Sequence, residues 1–453
     1  MPRPTDTICA IATPPGAGGL GIVRLSGPQV PSIARGILGE LPAPRHAHLG
    51  DFVDGAGEVI DRGIALYFRA PASFTGEDIL ELQGHGGVFI LQRLLSRAVE
   101  LGARLAGPGE FSQRAFLNDK LDLAQAEAIA DLIESETDAA ARAAQRTMQG
   151  VFSEQVHSLQ DALTALRVFV EAAIDFPEEE IDFIGESDAV ERGRELQERL
   201  AGLLREARQG RLLRDGIVMA IIGPPNAGKS SLLNALSGQD SAIVTAIPGT
   251  TRDVLREQID LDGIPVHVAD TAGIRETRDE IEAEGVRRAL QALETADIVL
   301  LLEDVTEDMA VAPGVELPPA VTCLRVGNKI DLLAPSELES RIGASGQDRL
   351  WISARTGQGL DRLRARIRET VGAAGGPEGA AGGSFSARQR HVDALRRAAR
   401  HVEAGVEVLT SASAAELFAE ELRLAQQALG EITGEMLADD LLGEIFSSFC
   451  IGK

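Results

Sequence analysis

This sequence of 453 residues has little cysteine, no long apolar run and no basic leader. Its three cysteines, Cys9, Cys323 and Cys450, are too widely spaced for a disulfide framework or a metal-ligand cluster, which is typical of a reducing cytosol. No basic segment followed by an apolar run opens the chain, so we expect no signal peptide. No apolar run approaches the ~20 residues that cross a bilayer. We therefore expect a soluble cytoplasmic protein without membrane contact.

Lysine is also scarce, because only four of the 44 basic residues are lysine: Lys120, Lys229, Lys329 and Lys453. Arginine supplies the positive charge almost everywhere else. A lysine in this background indicates a position that needs a compact ammonium group and not a guanidinium fork. Two of the four lie in the nucleotide-binding motifs described below. The other two are therefore candidates for a functional site as well.

Positive charge is scarce overall, and the formal net charge is −25. Residues 1–120 contain 11 basic and 12 acidic side chains, a net charge of −1, so −24 falls on residues 121–453. Binding to nucleic acid without sequence preference depends on Lys and Arg contacts with phosphates. Broad binding of that kind is disfavoured, and we expect any RNA contact near the first 120 residues or through a partner.

The sharpest chemical pattern is the stretch IVMAIIGPPNAGKSS at 217–231. An apolar run at 217–222 predicts a buried strand, residues 223–230 match G-x-x-x-x-G-K-S, and a helical pattern follows. The glycines let backbone N–H groups surround phosphate oxygens, and the helix N-terminus adds the positive end of its dipole. Lys229 would reach the outer phosphates, and the Ser230 hydroxyl would ligate Mg²⁺. A glycine-rich turn is the alternative, and the motifs downstream make it improbable.

Two switch motifs follow in the expected order. The segment GTTRD at 249–253 lies about twenty residues after the phosphate loop, where a threonine would complete the Mg²⁺ shell. Taken alone, it is equally typical of a polar loop. A strand from 266 ends in Asp-Thr-Ala-Gly at 270–273. Asp270 can hold Mg²⁺ through water, and the Gly273 N–H can sense the γ-phosphate.

A base-recognition motif comes next, because the strand in 323–331 ends in Asn-Lys-x-Asp. The Asp331 carboxylate can accept both N–H donors on the guanine edge, whereas adenine presents the wrong pattern. The tripeptide Ser-Ala-Arg at 353–355 forms a loop that would back the base. These ordered motifs predict a GTPase that selects GTP over ATP.

The residue after Asp-Thr-Ala-Gly bears on how water is oriented. Ras-type enzymes have glutamine there, whereas this chain has Ile274, which can neither donate nor accept a hydrogen bond. Another group must therefore position the attacking water. An acidic stretch follows, with Asp279, Glu280, Glu282 and Glu284. For any one of these residues alone, a place on a charged helix face is the ordinary role.

The first 118 residues predict a compact α/β domain. Residues 8–14 and 21–27 predict strands around a Gly/Pro turn, 59–71 predicts another pair of strands, and 88–102 predicts a helix stopped by glycine. Four polar side chains lie beside turns or strand ends: Arg24, Glu81, His85 and Arg114. If each is considered by itself, a surface or salt-bridge role is expected.

Helical periodicity begins at residue 119 and is typical of a bundle core. An acidic break at 175–183 predicts an inter-helix loop, a further helix is expected over about 189–213, and 373–383 predicts a flexible linker. The predicted fold is a multidomain α/β and all-α chain, with the nucleotide domain inserted into a helical domain. The predicted boundaries are 1–118, 119–214, 215–372 and 384–453.

These motifs together resemble the MnmE (TrmE) family of bacterial tRNA-modification GTPases. The resemblance rests on Asn226 in the phosphate loop, GTTRD, DTAG followed by an apolar residue, and the terminal CIGK. Further segments extend it over the whole chain: FTGEDILELQGHGG, PGEFSQRAFLNDKLDLAQAEA, DFPEEEIDF and IFSSFCIGK. The GTPase motifs alone are shared with ribosome-assembly GTPases of the Era and Der types. The sequence departs from the family pattern at 301–309, where the acidic stretch LLEDVTEDM replaces a more usual apolar strand end. We expect this departure to affect no predicted ligand-binding residue.

The resemblance implies a fold and an activity. The implied fold is an N-terminal domain for dimerisation and folate binding, a split helical domain and an inserted Ras-like GTPase domain. Such proteins form a homodimer and, with a flavin-containing partner, a heterotetramer. They place an aminomethyl or carboxymethylaminomethyl group on the wobble uridine of certain tRNAs, using 5-formyl- or methylene-tetrahydrofolate. Their GTPase domains meet across the dimer and hydrolyse GTP in a potassium-dependent way.

The resemblance also implies site residues. Those expected at GTP are Asn226, Ala227, Gly228, Lys229, Ser230, Ser231, Thr245, Ala246, Ile247, Pro248, Gly249, Thr250, Thr251, Asp270, Thr271, Ala272, Gly273, Asn328, Lys329, Asp331, Ser353, Ala354 and Arg355. Mg²⁺ would be held by Ser230 and Thr251. K⁺ would be held by Asn226, Thr245, Ile247 and Thr250, where it would offset charge on the phosphates.

Three further assignments follow from the same resemblance. Glu282 and Lys229 are the expected catalytic residues, and Glu282 would orient water through an intermediary in place of the missing glutamine. The folate site would be lined by Arg24, Glu81, Lys120 and Lys453. Cys450 is either a thiolate nucleophile or a structural thiol, and the sequence leaves both open.

Two other functional classes stay open at this point. A regulatory or ribosome-assembly GTPase would perform no modification chemistry, and an RNA-binding domain after the GTPase domain would favour it. This chain has only an acidic helical tail there, which favours the modification GTPase. Alternatively, GTP hydrolysis drives only a conformational change, while the partner and the folate perform the chemistry.

Overall fold

The structure of the protein is a computed structural model. It describes residues 5–175, 188–224, 226–237, 257–269, 296–306, 322–345, 349–370, 385–412, 414–436, 439–447, 449 and 451–452. The predicted loop at 175–183 and the predicted linker at 373–383 therefore lie wholly or almost wholly outside the described residues. The chain divides into two compact units, one of residues 1–130, 147–200 and 394–453, the other of residues 131–146 and 201–393. This division cuts through helices, so the predicted domain boundaries stay predictions.

The first unit contains a six-stranded sheet. Its strands are β1 (Ile8–Ile11), β2 (Gly18–Ser26), β3 (His48–Val53), β4 (Val59–Phe68), β5 (Ile79–Gly86) and β6 (Arg104–Leu105). Their order is β3-β4-β5-β2-β1-β6, and every neighbouring pair is antiparallel except β1 with β6. Alternate residues such as Val23 and Leu25 are buried on one face. That face packs against α1 (Val30–Leu38) and α2 (Val88–Glu100), which confirms the α/β expectation.

The predicted pair of strands at 59–71 is wrong, because the structure has one continuous strand, β4, in this stretch. Its partners are β3 before it and β5 after it. Gly63 does not turn the chain. A Cβ on Gly63 would lie 2.2 Å from the Gln83 carbonyl oxygen, so the glycine serves the close approach of β4 to β5.

Helices follow the first sheet, as the periodicity predicts. They are α3 (Glu110–Leu117), α4 (Leu123–Glu134), α5 (Asp138–Met148), α6 (Val151–Asp175) and α7 (Asp188–Asp215). The last of these confirms the helix expected over about 189–213. In α6 the buried residues recur every three or four positions: Phe152, Val156, Leu159, Leu163, Leu166 and Val170. This spacing places one apolar stripe on one face of the helix.

The second unit contains a doubly wound sheet. Its strands are β7 (Ile217–Ile222), β8 (Glu257–Leu261), β9 (Ile264–Ala269), β10 (Ile298–Asp304), β11 (Thr322–Asn328) and β12 (Arg349–Trp351). Their order is β12-β11-β10-β7-β9-β8, and all pairs are parallel except the hairpin of β8 and β9. The apolar runs of β7 and β10 are buried, as expected for central strands covered on both faces.

Among the described residues, this sheet is accompanied by α8 (Lys229–Ser237), α9 (Pro335–Ser345) and α10 (Leu360–Thr370). The strands β7, β10 and β11 end at Ile222, Asp304 and Asn328, on the same edge of the sheet. In open parallel sheets, ligands bind at the carboxyl ends of the strands. This edge is therefore where the sequence motifs should meet.

The chain closes with α11 (Gln389–Ala412), α12 (Ala415–Thr433) and α13 (Asp439–Ser447). Buried residues of α12 again recur every three or four positions, from Phe418 through Leu422 to Leu429, and α12 packs against α6. Beyond α13, Ile451 forms a β-bridge with Pro108 beside the first sheet. In the part of the chain that the structure describes, no helix is both long and apolar enough to cross a membrane.

Candidate functional site

The phosphate loop joins the end of β7 to the start of α8, and its two outer glycines are required by their neighbours. A Cβ on Gly223 would lie 2.3 Å from the Leu302 carbonyl oxygen, on the adjacent strand β10. Gly228 has a φ of 94°, and a Cβ there would lie 2.4 Å from the Asn328 side-chain nitrogen. The loop is therefore packed directly against the ends of β10 and β11.

Lys229 begins α8, and its side chain turns back over the loop. Its Nζ donates to the carbonyl oxygens of Gly223 and Pro224 at 2.7 and 3.0 Å. Burial lowers the pKa of the Lys229 ammonium. A partly buried ammonium at a helix N-terminus is suited to a phosphate group, whose charge it would offset.

The other loop residues divide into buried and exposed ones. Ala227 is fully buried, whereas the side chains of Asn226, Ser230 and Ser231 are exposed. Asn226 adopts the left-handed conformation with a φ of 64°, which asparagine tolerates better than most residues. The predicted Mg²⁺ ligand Ser230 and the predicted K⁺ ligand Asn226 thus both have accessible side chains at the N-terminal end of α8.

Asn328 links the base motif to the phosphate loop. Its side-chain nitrogen donates to the Ala227 carbonyl oxygen at 2.9 Å, and its side-chain oxygen accepts from the Ala354 N–H at 3.0 Å. The residue is 2% exposed. One amide side chain therefore ties three predicted GTP-binding segments together, through one donated and one accepted hydrogen bond.

Lys329 is held by an acid that the sequence did not indicate. Its Nζ lies 2.5 Å from Asp304 Oδ2, at the end of β10. The expectation that the acids at 301–309 affect no predicted ligand-binding residue is therefore wrong, because Lys329 is one of the residues expected at GTP. The reason lies in the parallel pairing of β10 with β11, which sets Asp304 opposite Asn328 and beside Lys329.

The Asp331 carboxylate is oriented by the loop that follows β12. Its Oδ1 accepts from the Ser353 hydroxyl at 2.6 Å, and Ser353 is fully buried. Asp331 and Arg355 have exposed side chains. An exposed carboxylate fixed from behind by a buried hydroxyl is suited to accept two N–H donors from a ligand.

The remaining predicted residues of the GTP and catalytic sites lie outside the described residues. They are Thr245, Ala246, Ile247, Pro248, Gly249, Thr250, Thr251, Asp270, Thr271, Ala272, Gly273, Glu282 and Cys450. Their roles stay predictions. Among the described residues, no group of three or more His, Cys, Asp or Glu side chains could hold a metal ion. The predicted ion ligands in the phosphate loop are of another kind, an amide and a hydroxyl.

The predicted folate residues are only partly brought together. Arg24 and Glu81 are opposite each other in β2 and β5, and Arg24 Nη2 lies 2.9 Å from Glu81 Oε1. Arg24 Nη1 also donates to the Gly452 carbonyl oxygen at 3.3 Å, a contact that sequence pattern alone did not indicate. Lys120 has a different partner, the Pro71 carbonyl oxygen at 3.2 Å. Lys453 lies outside the described residues.

The other polar groups singled out in the first domain have structural partners. Arg114 is fully buried and contacts Asp6, Glu77 and Glu110 at 2.8, 3.1 and 3.0 Å. The exposed His85 ring lies 2.8 Å from Asp61 Oδ1. The salt-bridge role expected of Arg114 is confirmed.

The doubly wound sheet, the glycine loop that opens α8, and the clustered Asn-Lys-x-Asp and Ser-Ala-Arg motifs define a P-loop protein of the guanine-nucleotide-binding class. The sequence family is narrower than that class. The model of the GTP-binding protein TrmE N-terminus matches residues 7–120, and the model of the MnmE helical domain matches residues 123–450. The chain belongs to the MnmE family of tRNA modification GTPases.

Individual relatives agree over the full length. The tRNA modification GTPase MnmE of Stutzerimonas stutzeri (strain A1501) is 56% identical, over 99% of this chain and 99% of its own length. That of Pseudomonas syringae pv. tomato (strain ATCC BAA-871 / DC3000) is 56% identical over 100% of both chains. A crystal structure of Era with MgGDPNP and 16S ribosomal RNA is 30% identical over 34% of this chain and 56% of its own, with a TM-score of 0.26. A TM-score of that size establishes no common overall shape.

Proposed function

We propose that this chain hydrolyses GTP at the carboxyl edge of its second sheet, and that hydrolysis serves the modification of the wobble uridine in certain tRNAs. Membership of the MnmE family makes the chain a GTP hydrolase that acts in tRNA modification. The observation that carries the site assignment is Asn328, which joins the phosphate loop at Ala227 to the base loop at Ala354. A ligand with a guanine at one end and phosphates at the other would contact both of these joined motifs.

In this proposal Mg²⁺ is held by Ser230 and Thr251, and K⁺ by Asn226, Thr245, Ile247 and Thr250. The exposed Asn226 side chain at the N-terminal end of α8 supports the K⁺ assignment, because its amide oxygen is accessible. The cations would offset the charge that develops on the phosphates. Glu282 would orient the water, since Ile274 offers no hydrogen-bonding group.

The folate assignment rests on the pair of Arg24 and Glu81. Their side chains are 24% and 15% exposed, so both the guanidinium and the carboxylate are accessible to a ligand while remaining fixed by each other. Tetrahydrofolate carries N–H donors on its pterin ring and carboxylates on its glutamate, which this pair could bind. A one-carbon unit would be supplied there as 5-formyl- or methylene-tetrahydrofolate.

The homodimer assignment is supported by the outer face of the first sheet. Leu49 lies opposite Ile64 across β3 and β4, and these side chains are 65% and 39% exposed. Leu20, in β2, is also exposed, at 58%. Apolar side chains clustered on one face of a sheet are typical of a surface that a second protein covers. A second copy of this chain is the proposed occupant.

The flavin-containing partner and the tRNA enter the proposal through family membership. With a net charge of −25 on the whole chain, a direct tRNA contact is expected near the first 120 residues, where the net charge is −1, or on the partner. The partner would complete a heterotetramer with two copies of this chain.

The test is GTP turnover by the full chain in matched KCl and NaCl buffers, over a range of protein concentrations. We expect faster turnover in KCl and a rate per chain that rises with concentration, because the GTPase domains act as a dimer. Asn226→Gly removes the amide oxygen and tolerates the positive φ, and it should lower kcat in KCl by roughly 10²-fold. Asn226→Asp keeps an oxygen ligand and should retain more of the K⁺ response.

Glu282→Ala is the companion variant, and Glu284→Ala, in the same acidic stretch, is its matched control. Only the first should slow turnover at saturating GTP. Turnover that is indifferent to cation and to concentration would contradict the K⁺ and dimer assignments. GTP binding without any hydrolysis in either buffer would contradict the enzymatic assignment itself.

A further inference from the structure

The acid at the end of β10 has an unusually complete set of partners. Asp304 is 7% exposed, and its Oδ1 accepts from the N–H and the hydroxyl of Thr306 at 2.9 and 2.6 Å. Its Oδ2 lies 2.5 Å from Lys329 Nζ. Burial alone would raise the pKa of this carboxyl, but the contacts with Lys329 and Thr306 outweigh burial and lower the pKa below its ordinary value. The carboxylate is therefore ionised and fixed at both oxygens.

The lysine that it holds is constrained as well. Lys329 has a φ of 71°, a left-handed conformation that is unfavourable for a residue with a side chain. Its neighbour Asn328 is bonded to the phosphate loop and to the base loop. Both the backbone and the ammonium end of Lys329 are thus constrained by the protein itself.

We propose that Asp304 is a positioning residue for guanine-nucleotide binding, which acts by fixing the ammonium group of Lys329, a residue of the proposed base site. The inference rests on the proposed role of Lys329 in that site. Lysine has one of the most flexible side chains, and immobilising it during binding lowers affinity. Asp304 immobilises it in advance. Asp304 itself touches neither the base nor the phosphates in this assignment.

The neighbouring acid provides a matched control. Glu303 precedes Asp304 in β10, but its carboxylate pairs with Arg349, which lies 5.4 Å from the ring centroid of Trp351. Neither Arg349 nor Trp351 belongs to a nucleotide motif. Neutralising Glu303 removes one charge from the same strand end without touching Lys329.

The experiment measures the Kd of GDP and of a non-hydrolysed GTP analogue, together with kcat and KM for GTP, on the full chain. Asp304→Asn keeps an acceptor for Thr306 but removes the charge that holds Lys329. We expect both Kd values and KM to rise by the same factor, about three- to tenfold. We expect kcat at saturating GTP to stay within about twofold. Glu303→Gln should leave all four quantities unchanged.

A double-mutant cycle separates positioning from a general structural effect. If Asp304 acts through Lys329, Asp304→Asn should add nothing to the loss of GDP affinity caused by Lys329→Met. A further loss in the Lys329→Met background would overturn the inference. So would an unchanged GDP Kd in Asp304→Asn, or a fall in kcat without a change in Kd.

Thr306→Val provides a second route if Asp304→Asn does not fold, since Thr306 is exposed. It removes one hydrogen bond that fixes Asp304 and should weaken GDP binding by about twofold; unchanged binding would count against the inference. Failure of the two proposals is distinguishable. A wild-type chain that binds no GDP contradicts the proposed function, whereas wild-type binding that Asp304→Asn leaves intact contradicts only the positioning role.

Discussion

Arg114 concentrates much of the polar packing of the first unit in a single side chain. It is fully buried, and its guanidinium contacts three carboxylates, those of Asp6, Glu77 and Glu110. A buried charge is tolerated only when it is paired and hydrogen-bonded. Removing one member of such a cluster leaves the others buried without compensation. The role of this residue is therefore to stabilise the first unit.

Arg114→Met should lower the free energy of unfolding of the first unit by about 3 kcal/mol, because buried carboxylates lose their partner. Calorimetry of the full chain would measure the change, and hydrogen exchange of β1 and β5 would assign the transition. Arg104→Met is the control: Arg104 contacts Asp6 and Glu110 too, but its side chain is 49% exposed. It should cost at most about 1 kcal/mol. Equal losses in the two variants would contradict the assignment.

The same cluster gives a pH dependence with a definite sign. Burial alone would raise the pKa of Glu110, but hydrogen bonds from Arg104, Gly107 and Arg114 outweigh burial and lower it from its ordinary 4.5. A carboxyl with a depressed pKa in the folded state contributes stability above its unfolded pKa and loses it as pH falls. Unfolding of the first unit should therefore become easier below about pH 4.5, and less steeply so in Arg114→Met.

Among elements, the phosphate loop depends on strands that are distant in sequence. Its second glycine, Gly228, leaves room for the amide of Asn328, the last residue of β11. Its first, Gly223, leaves room for the carbonyl of Leu302 in β10. The motif glycines are usually explained by phosphate contacts. Here they also permit the packing that joins the loop to the base motif.

Gly228→Ala should abolish measurable GTP binding and destabilise the second unit by about 1–3 kcal/mol, since alanine is strained at a φ of 94°. Its Cβ would also displace the Asn328 side chain. Calorimetry and GDP titration would measure the two effects. Gly202→Ala is the control, because Gly202 lies within α7 and a Cβ there meets only the end of Arg205 at 3.9 Å. It should be neutral or stabilising by up to about 1 kcal/mol. Normal GDP affinity in Gly228→Ala would contradict this account.

At the scale of the whole molecule, the C-terminal segment returns to the first sheet. Gly452 accepts a hydrogen bond from Arg24, 428 positions away in the chain, and Ile451 bridges Pro108. Gly109, next to Pro108, leaves room for the Phe446 carbonyl oxygen, 2.4 Å from where its Cβ would be. The proposed folate site is therefore built from both ends of the chain.

Deleting residues 452–453 should weaken the binding of 5-formyltetrahydrofolate by roughly tenfold, because Arg24 loses its contact with Gly452 and Lys453 is removed. Isothermal titration of the full chain would measure it. Arg35→Met, which removes a positive charge from the exposed side of α1, is the control and should bind normally. Unchanged affinity after the deletion would remove the C-terminal segment from the proposed site.

The sequence by itself determined the features that depend on residues near one another in the chain. The phosphate loop, the motif that contains Asp331, and the periodicity of α6 and α7 are all local patterns, because helices and tight loops are specified by neighbouring residues. The family resemblance rests on the same kind of information. The error at 59–71 could be seen only from tertiary structure, because Gly63 lies inside one continuous strand and serves its close approach to β5.

Only the tertiary structure decided which residues meet across strands. Asn328 and Ala227 are 101 positions apart, Lys329 and Asp304 are 25 apart, and Arg24 and Gly452 are 428 apart. Each contact follows from the order of strands in a sheet or from the path of the chain end, which no local pattern encodes. A buried acid such as Asp304 becomes interpretable only when the parallel register sets it beside a lysine, because the cost of burying its charge depends on that partner.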